Sequence, residues 1–462
     1  MKTSRALLIA GPILFVLALL LPLPLTPEQH RLTAILFLTI SWWLSQEIPL
    51  AVTGLISVSL AVMLGVTDFQ HAFSGFNNPV IFLFMGGFFM AQAIHHQKLD
   101  VWIAQRALSS SLVRGSSTRI FLMTVLLTAG FSAFLSNTAT TAMFMPIGVS
   151  LLTHLGVDEE SPSSSVLLLI PFAATIGGLA TPIGTPPNVI AISLLDKLVG
   201  IRIPFLDWMI LMVPVTILML LGLFLIFWKE LRALPKHQDE VLAPPSMSTS
   251  QRRVLVIVLL AVILWIIPGL FSLVLGKDDP LTKLLFSRLP EGLVAVFVGS
   301  LLFLTPDTRG STLLTWKEGA RIDWGTLLLF GAGISIGEIV FQTKLAELVG
   351  KSLPFATLPV ASGILILIAI TVFATELVTN SAIANLLIPL TVATFPFSDA
   401  PLIPVLAVAV ASSLAFMLPV GTPPNAIAFG TGLVKLRDMV RKGFILNLYA
   451  IGLIWLMAEI YF

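Results

Sequence analysis

Two copies of a short polar string interrupt the apolar sequence, and their residue types could hold both a cation and an anion. The first copy is Gly184-Thr185-Pro186-Pro187-Asn188, and the second is Gly421-Thr422-Pro423-Pro424-Asn425. Proline lacks an amide donor and blocks continuous winding, so each string predicts a break in a helix that would otherwise cross a membrane. A broken helix exposes carbonyl oxygens that suit a cation and amide groups that suit an anion.

A second polar motif lies upstream of each string. Ser136-Asn137-Thr138 follows Ser132 in the first half, and Thr379-Asn380-Ser381 follows Thr375 in the second. The asparagines are 243 residues apart and the threonines of the two strings are 237 apart, so the motifs recur in the same order at similar spacing. Hard cations such as sodium prefer neutral oxygens of this kind. Paired interruptions in two halves of a chain indicate the binding site of a transporter.

The polar stretches carry no charge that could balance a bound anion. No Asp, Glu, Lys or Arg occurs within 124–153, 164–195, 377–398 or 403–434. Burying an isolated dianion is costly unless an opposite charge accompanies it. We therefore predict that sodium ions bind together with the anion and are co-transported.

Composition places the chain in a membrane. Of the 462 residues, 56% are hydrophobic and 11% are charged, and the mean hydropathy is +0.99. Soluble domains are about 25% charged. The net charge of +2 and the scattered basic residues give no indication of nucleic acid binding, and the chain contains no cysteine for disulfides or thiolate metal sites.

The hydropathy pattern predicts an all-α polytopic protein with about eleven transmembrane helices and two re-entrant hairpins. Nine uninterrupted spans are expected near 6–25, 30–47, 49–66, 79–95, 207–228, 254–275, 290–305, 324–342 and 443–460. The hairpins are expected at 119–153 and 355–394, and the broken spans at 164–195 and 402–431. The first apolar run, about 20 residues long, is longer than the hydrophobic region of a signal peptide and is expected to be a retained span.

Charge placement predicts the orientation. With the N-terminus in the cytoplasm, the cytoplasmic segments hold 18 of the 26 Lys and Arg residues. This asymmetry follows the positive-inside rule, and eleven spans then place the C-terminus outside.

The repeat extends beyond the polar motifs. Phe84 to Leu99 matches Phe330 to Leu345 at an offset of 246 residues. An odd number of crossings separates equivalent spans, so the two halves have inverted orientations. The polar stretch 229–253 is expected to be a cytoplasmic linker between them. The stretches 97–110 and 343–353 could form amphipathic helices at the membrane surface.

The doubled motifs, the broken helices and the inverted halves resemble the divalent anion:sodium symporter family of dicarboxylate, tricarboxylate and sulfate carriers. The resemblance covers nearly the whole chain. It implies a homodimer embedded in lipid, in which a transport domain slides along a scaffold domain as an elevator. On this basis the chain divides into a first scaffold segment (1–118), a first transport segment (119–228), the linker (229–253), a second scaffold segment (254–354) and a second transport segment (355–462).

The resemblance also implies the site residues. One sodium ion would be bound by Ser132, Ser136, Asn137 and Gly184, and its symmetry mate by Thr375, Val378, Asn380 and Gly421. The substrate would contact Asn137, Thr138, Thr185, Pro186, Thr379, Asn380, Ser381, Thr422 and Pro423. The second tip departs from the family, because it reads Thr379-Asn380-Ser381 where many dicarboxylate carriers have Ser-Asn-Thr.

Two acids stand out in apolar surroundings. Glu376 is the lone acid of the hairpin regions and adjoins Thr375; ion ligation, proton coupling and a structural hydrogen bond are all open, and the structural role is favoured. Glu338 has Gln92 as its repeat mate, which suggests helix packing rather than transport chemistry.

The sequence therefore predicts a sodium-coupled symporter of divalent anions, most specifically of C4-dicarboxylates such as succinate, in a plasma membrane or bacterial inner membrane. A carboxylate exchanger or a sulfate symporter of the same fold is the alternative. A channel is a further alternative, although two-sided hairpin sites favour alternating access. An enzyme is not expected, since the doubled segments hold no His, no Cys and only Glu376 as an acid.

Overall fold

The computed structural model consists of helices, and it describes residues 2–113, 115–161, 163–235, 246–308, 310–352, 358–395 and 402–461. In the first half the helices are α1 (Lys2–Leu20), α2 (Pro27–Ser45), α3 (Leu50–Met63), α4 (Phe69–Ala72), α5 (Pro79–His96), α6 (Leu99–Leu108), α7 (Ser117–Ser132), α8 (Asn137–His154), α9 (Leu169–Gly177), α10 (Pro186–Val199), α11 (Phe205–Ile226) and α12 (Trp228–Arg232). In the second half they are α13 (Thr249–Leu275), α14 (Pro280–Arg288), α15 (Glu291–Leu304), α16 (Trp316–Gly319), α17 (Trp324–Gln342), α18 (Leu345–Ser352), α19 (Val360–Thr375), α20 (Asn380–Thr394), α21 (Leu402–Ser413), α22 (Pro423–Phe429) and α23 (Leu436–Tyr461). Two short 3-10 turns, Ser74–Asn77 and Ser164–Leu168, precede α5 and α9. A single antiparallel bridge joins Pro306 to Thr312, and the described residues form no strand.

Helix pairs occupy the predicted hairpins and broken spans. α7 and α8 are joined through residues 133–136, and α19 and α20 through 376–379. The chain is unwound between α9 and α10 and again between α21 and α22. Every residue of α9 is buried, as is every residue of α21 after Leu402. The unwound backbone is therefore flanked by protein-enclosed helix, which is the condition for irregular structure at membrane depth.

Matched backbone conformations support the repeat. Lys98 and Lys344, which are 246 residues apart, both adopt the left-handed conformation, with φ of 53° and 59°. Each residue ends a turn and precedes a short helix, α6 or α18, at the places where the sequence predicts amphipathic helices. A positive φ is uncommon for residues other than glycine, so its recurrence at equivalent positions indicates two halves with the same local chain path.

Several helices are long and apolar enough to cross a membrane. Among the described residues these are α5, α11, α13, α17 and α23, and α14 with α15 would make a sixth if that pair, bent by 52°, is one span. Other apolar helices are shorter, between 10 and 17 residues, and include α3, α7, α19, α20 and α21. The chain is thus an all-helical integral membrane protein, and the count of eleven spans stays a prediction.

The predicted linker at 229–253 is partly helical at both ends. α12 lies within its first residues, and α13 begins at Thr249, earlier than the predicted start of that span. α12 is held in place, since Thr118 Oγ1 donates a hydrogen bond to Leu231 O at 2.9 Å and Lys442 Nζ lies 2.6 Å from Glu230 Oε1. Residues 236–245, which include most of the predicted polar run, lie outside the described residues.

Glycines allow α5 and α15 to cross closely. A Cβ atom added to Gly86 would overlap the carbonyl group of Ala295, and one added to Gly299 would lie 3.2 Å from Gly86 O. Such close approach is typical of small residues at membrane helix interfaces. By contrast, Gly452 in α23 has no heavy atom within 4 Å of the position of an added Cβ.

We predict that Gly86→Ala destabilises the fold by about 1–3 kcal/mol, because the methyl group must displace backbone rather than a flexible side chain. Gly452→Ala, a matched control in another helix, should not reduce stability. Equilibrium unfolding of the purified protein in mixed detergent micelles would compare the two. Equal stabilities for Gly86→Ala and Gly452→Ala would contradict this packing.

Candidate functional site

The first hairpin tip is organised by a hydrogen bond between its two ends. Ser132 is fully buried at the end of α7, and its Oγ donates to Asn137 Oδ1 at 2.7 Å. Ser136 caps α8, its Oγ accepting a bond from Ala139 N at 3.2 Å. These bonds fix the side chain of Asn137 at the point where the chain reverses.

The first helix break is held open by the asparagine of the string. Asn188 Nδ2 donates to Gly178 O at 2.9 Å and to Thr181 O at 2.8 Å, so one side chain bonds two carbonyls of the unwound chain. Thr181 O also accepts a turn bond from Gly184 N at 3.3 Å. A Cβ added to Gly178 would lie 2.7 Å from Asn137 Oδ1 and 3.1 Å from Gly184 O. The tip amide and the carbonyl of Gly184 therefore converge beside Gly178, and oxygens so placed suit a sodium ion.

The second half builds the same arrangement. Thr375 Oγ1 lies 2.8 Å from Asn380 Oδ1 and 2.7 Å from Ser412 O, and Asn380 Nδ2 donates to Ser413 O at 3.2 Å. The hairpin tip is thus bonded directly to the end of α21. The predicted ligands Thr375 and Asn380 are adjacent to each other in the structure.

The asparagine of the second string holds the second helix break, as Asn188 holds the first. Asn425 Nδ2 donates to Ala415 O and to Leu418 O, both at 3.1 Å. Ala415 and Leu418 lie 237 residues after Gly178 and Thr181, the same separation as between Asn188 and Asn425. No role is predicted for these two asparagines from the sequence, although their recurrence at the ends of both strings is a signal that could identify them.

Several buried oxygens at the breaks and at the second hairpin tip have no hydrogen-bond partner in the described structure. They are Thr185 Oγ1, Asn188 Oδ1, Thr379 Oγ1, Thr422 Oγ1 and Asn425 Oδ1. Buried polar groups are normally paired, so the unpaired oxygens at the two motifs are available to a ligand or to water. Other unpaired atoms lie elsewhere in the described structure, Thr53 Oγ1 and Thr282 Oγ1 among them. Three of the five oxygens at the motifs are hydroxyls of residues predicted to contact the substrate, Thr185, Thr379 and Thr422, and a hydroxyl can donate a hydrogen bond to a bound anion.

Exposure separates the predicted residues into two groups. Ser132, Gly184, Thr185, Thr375, Val378, Gly421 and Thr422 are buried. Ser136, Asn137, Thr138, Pro186, Thr379, Asn380, Ser381 and Pro423 are exposed or half-buried. Most of the predicted sodium ligands are thus enclosed, while the tips and first prolines remain reachable from outside the protein.

The two halves are interlocked at the broken helices. α10, from the first half, packs against α20 and α21 of the second half, and α22 packs against α8 and α9 of the first. Each string opens its helix, since Pro186 begins α10 and Pro423 begins α22. The packing therefore brings the string of each half to the hairpin of the other.

Glu376 is held by the unwound chain of the second break. Its Oε1 accepts bonds from Phe416 N at 2.7 Å and from Asn447 Nδ2 at 2.7 Å, and its Oε2 accepts one from Leu418 N at 3.1 Å. Met417 N donates to both oxygens, at 2.9 Å and 3.0 Å. Three consecutive amides that have left the helix thus share one carboxylate, which is the structural role that the sequence favours.

The first half has no such acid. The residue 243 positions before Glu376 is Ala133, whose carbonyl accepts a bond from Thr181 Oγ1. Glu376 Oε2 also lies close to the second break, 3.3 Å from the position of a Cβ added to Gly421. The second pocket therefore has a fixed negative charge beside it that the first pocket lacks.

Known proteins with similar sequences are transporters. The family model described as "Sodium:sulfate symporter transmembrane region" matches residues 2–462. A protein of Staphylococcus saprophyticus, named a sodium-dependent dicarboxylate transporter, is 34% identical over 97% of this chain and 90% of its own length. A Staphylococcus aureus protein of the same name is 32% identical over 96% of this chain and 88% of its own length, and an uncharacterised transporter of Haemophilus influenzae is 33% identical over 95% and 93%.

A solved structure has a similar fold. The crystal structure of the Alcanivorax borkumensis YdaH transporter matches with a TM-score of 0.57 and 16% sequence identity, over 85% of this chain and 87% of that one. At this identity the likeness concerns the fold alone.

We predict that Asn188→Ala and Asn425→Ala each weaken sodium binding by at least about tenfold, because each change removes two hydrogen bonds to carbonyls of the unwound chain and lets that chain move. Thr371→Val is a matched control, since Thr371 is equally buried but bonds only within α19, to Leu367 O at 2.6 Å. Ligand-dependent stabilisation reports binding without requiring transport. The melting temperature of the control should rise with sodium as in the native chain, and retention of that rise in both asparagine variants would contradict the role assigned to them.

We predict that Glu376→Gln destabilises the protein by about 1.5–3 kcal/mol, the range for hydrogen bonds to a charged group. The new amide nitrogen would face backbone N–H donors instead of accepting from them. Asn447→Ala removes only one of the donors and should have a smaller effect. Urea unfolding midpoints would rank the two variants, and an unchanged midpoint for Glu376→Gln would rule out this structural role.

Proposed function

Because the chain belongs to the sodium:sulfate symporter family, we propose that it is a sodium-coupled secondary active symporter of divalent anions, with C4-dicarboxylates such as succinate as its substrates. The observation that carries this proposal is the doubled set of neutral oxygens at the tips and breaks. Each set includes a tip asparagine bonded to a hydroxyl, at 2.7 Å in the first half and 2.8 Å in the second. The family and its named relatives are transporters, which supports transport rather than catalysis.

Sodium would bind in two pockets formed by the tips and the breaks, where five of the eight proposed ligand residues are buried. The proposed ligands are Ser132, Ser136, Asn137 and Gly184 in the first pocket and Thr375, Val378, Asn380 and Gly421 in the second. Their contributions would come from hydroxyl, amide and carbonyl oxygens, which replace the water around a hard cation. Glu376 adds a nearby negative charge to the second pocket, so that pocket should hold its sodium ion more tightly than the first.

The anion would bind at the accessible tips, next to the sodium ions. Thr138, Thr379 and Ser381 offer hydroxyl donors, Asn137 and Asn380 offer amides, and Thr185-Pro186 and Thr422-Pro423 open helices whose N-termini attract negative charge. Since no Lys or Arg lies in these segments, the positive charge that offsets a dianion must enter with sodium. This explains why the same pockets would couple the two solutes.

The sodium-dependent dicarboxylate transporters among the relatives favour a dicarboxylate substrate. A sulfate symporter is the second candidate, favoured by the description of the family. The altered second tip, with Thr379 and Ser381 flanking Asn380, moves one methyl group across the asparagine and could change which dianion fits. An exchanger of the same fold is the remaining alternative, and it would couple the entry of one anion to the exit of another instead of to sodium.

We propose that the protein is a homodimer and that, in each subunit, a transport body slides along a scaffold by an elevator mechanism. The transport body would comprise 119–228 and 355–462, and the scaffold would comprise 1–118 and 254–354. Eleven spans with a cytoplasmic N-terminus and an external C-terminus complete the proposed topology. The interlocked broken helices support a transport body that moves as a unit, because α10 and α22 each pack against the opposite half.

Uptake into proteoliposomes tests the function. Labelled succinate, citrate and sulfate would each be offered with an inward sodium gradient and with sodium replaced by choline. We predict that succinate uptake falls at least about tenfold without sodium, and that Asn137→Ala and Asn380→Ala abolish it. Equal uptake in choline would contradict sodium coupling, a preference for sulfate would identify the second candidate, and counterflow that needs no sodium would identify an exchanger.

A further inference from the structure

The C-terminal half of α10 is tied to the proposed scaffold by polar side chains. Lys197, near the end of α10, forms an ion pair with Glu338 Oε1 of α17. Glu338 Oε2 in turn accepts a hydrogen bond from Ser74 Oγ at 2.5 Å. One turn earlier in α10, Ser193 Oγ accepts a bond from Asn78 Nδ2 at 2.6 Å. These contacts join a broken helix of the proposed transport body to two separate regions of the scaffold.

The ion pair is largely shielded from water. The side chains of Lys197 and Glu338 are 24% and 11% exposed, and Asn78 and Ser193 are both buried. Around them α17 lies close to α10, since a Cβ added to Gly337 would be 3.0 Å from Leu194 Cδ2. Removing one partner of a largely buried pair leaves an uncompensated charge, so truncating Lys197 or Glu338 alone should destabilise the conformation in which the two side chains meet.

Glu338 is fixed on the scaffold side. Besides the bond from Ser74, the neighbouring Ser335 Oγ accepts a hydrogen bond from Gly75 N at 3.1 Å. The carboxylate therefore keeps its place through contacts within the scaffold, and Lys197 is the partner that would leave when α10 moves.

α10 connects this contact directly to the binding motif. The helix begins at Pro186 within the first string, and Lys197 lies in its last turn. At a rise of 1.5 Å per residue, the two are separated by roughly 16 Å along one helix. A shift of the motif along the scaffold must therefore carry Lys197 away from Glu338.

The repeat does not reproduce the pair. By the offsets of the motifs, Glu338 corresponds to Gln92, 246 residues earlier, and Lys197 corresponds to Val434, 237 residues later and beyond the end of α22 at Phe429. Gln92 and Val434 could not form an ion pair, so the repeat offers no second copy of this contact. The electrostatic contact is thus available on one side of the protein only.

We propose that the Lys197–Glu338 ion pair is a one-sided latch between the scaffold and the transport body, which stabilises the conformation seen here and must open in every transport cycle. This rests on the proposed function, since it requires the two bodies to move. The bond between Asn78 and Ser193 belongs to the same latch and contributes less, because it joins uncharged groups.

The latch can be tested by distance measurement. The chain has no cysteine, so spin labels can be attached at Leu293→Cys on α15 and Val360→Cys on α19, which are 57% and 41% exposed. Pulsed electron spin resonance in lipid nanodiscs would give the distribution of label distances. Glu338→Gln and Lys197→Met should raise the population of a second distance about tenfold, and Ser193→Ala should raise it less.

Two controls separate the latch from general destabilisation. The double variant Lys197→Glu with Glu338→Lys restores the pair and should return the distribution toward that of the parent. Lys442→Met removes a different ion pair, in which Lys442 Nζ lies 2.6 Å from Glu230 Oε1 and the two side chains are 16% and 18% exposed. The helices that carry this pair, α23 and α12, both pack against the 3-10 turn Ser164–Leu168. Lys442→Met should leave the distribution unchanged.

Unchanged distances in Glu338→Gln and Lys197→Met, or an equal change in Lys442→Met, would overturn the latch. Failure of the native chain to take up any dianion with sodium would overturn the proposed function instead. The distance measurement does not depend on uptake, so the two failures are distinguishable.

Discussion

An unwound backbone inside a membrane protein must find partners for its polar groups, and this requirement shapes both halves of the chain. Asn188 and Asn425 each satisfy two carbonyls, while Glu376 takes three consecutive amides of the second break. The backbone is thereby fixed in a shape that a helix could not provide. The buried atoms left unpaired include the hydroxyls of Thr185, Thr379 and Thr422 at the two motifs, and these are groups that a bound ligand can use.

The near absence of charge at these motifs has a direct functional consequence. A lysine or arginine in either pocket would bind the anion without help and would uncouple it from sodium. Pockets without a basic residue make the two solutes depend on each other, because each offsets the charge of the other in a site of low polarity. Glu376 has no equivalent in the first half, so the two pockets differ. Its hydrogen bonds to three backbone amides show that it holds the unwound chain in place.

The sequence predicts the site best where local chemistry decides the structure. Proline and glycine place the helix starts at Pro186 and Pro423, and the polar tips begin α8 and α20 at Asn137 and Asn380, as the motifs indicate. The family resemblance carried by these motifs is confirmed by the match over residues 2–462. Local pattern also locates the short helices after Lys98 and Lys344, although it does not predict the left-handed turns before them.

Contacts over long sequence separations cannot be read in the same way. The partners of Glu376 depend on the path of the unwound chain at 416–418, which no periodicity describes. Sequence alone suggests a packing role for Glu338, and its contact with Lys197 becomes visible only when α10 and α17 are placed side by side. Span counting is limited for another reason: α3 and α15 have only 14 residues each, so length alone does not identify every membrane crossing.

The most direct measurement is the equilibrium binding of succinate to the purified protein by titration calorimetry, in sodium chloride and in choline chloride of equal ionic strength. If two pockets without a basic residue admit the dianion only together with sodium, binding heat will be present in sodium and absent in choline. The same affinity in both salts would contradict that dependence and would require a positive charge elsewhere in the site.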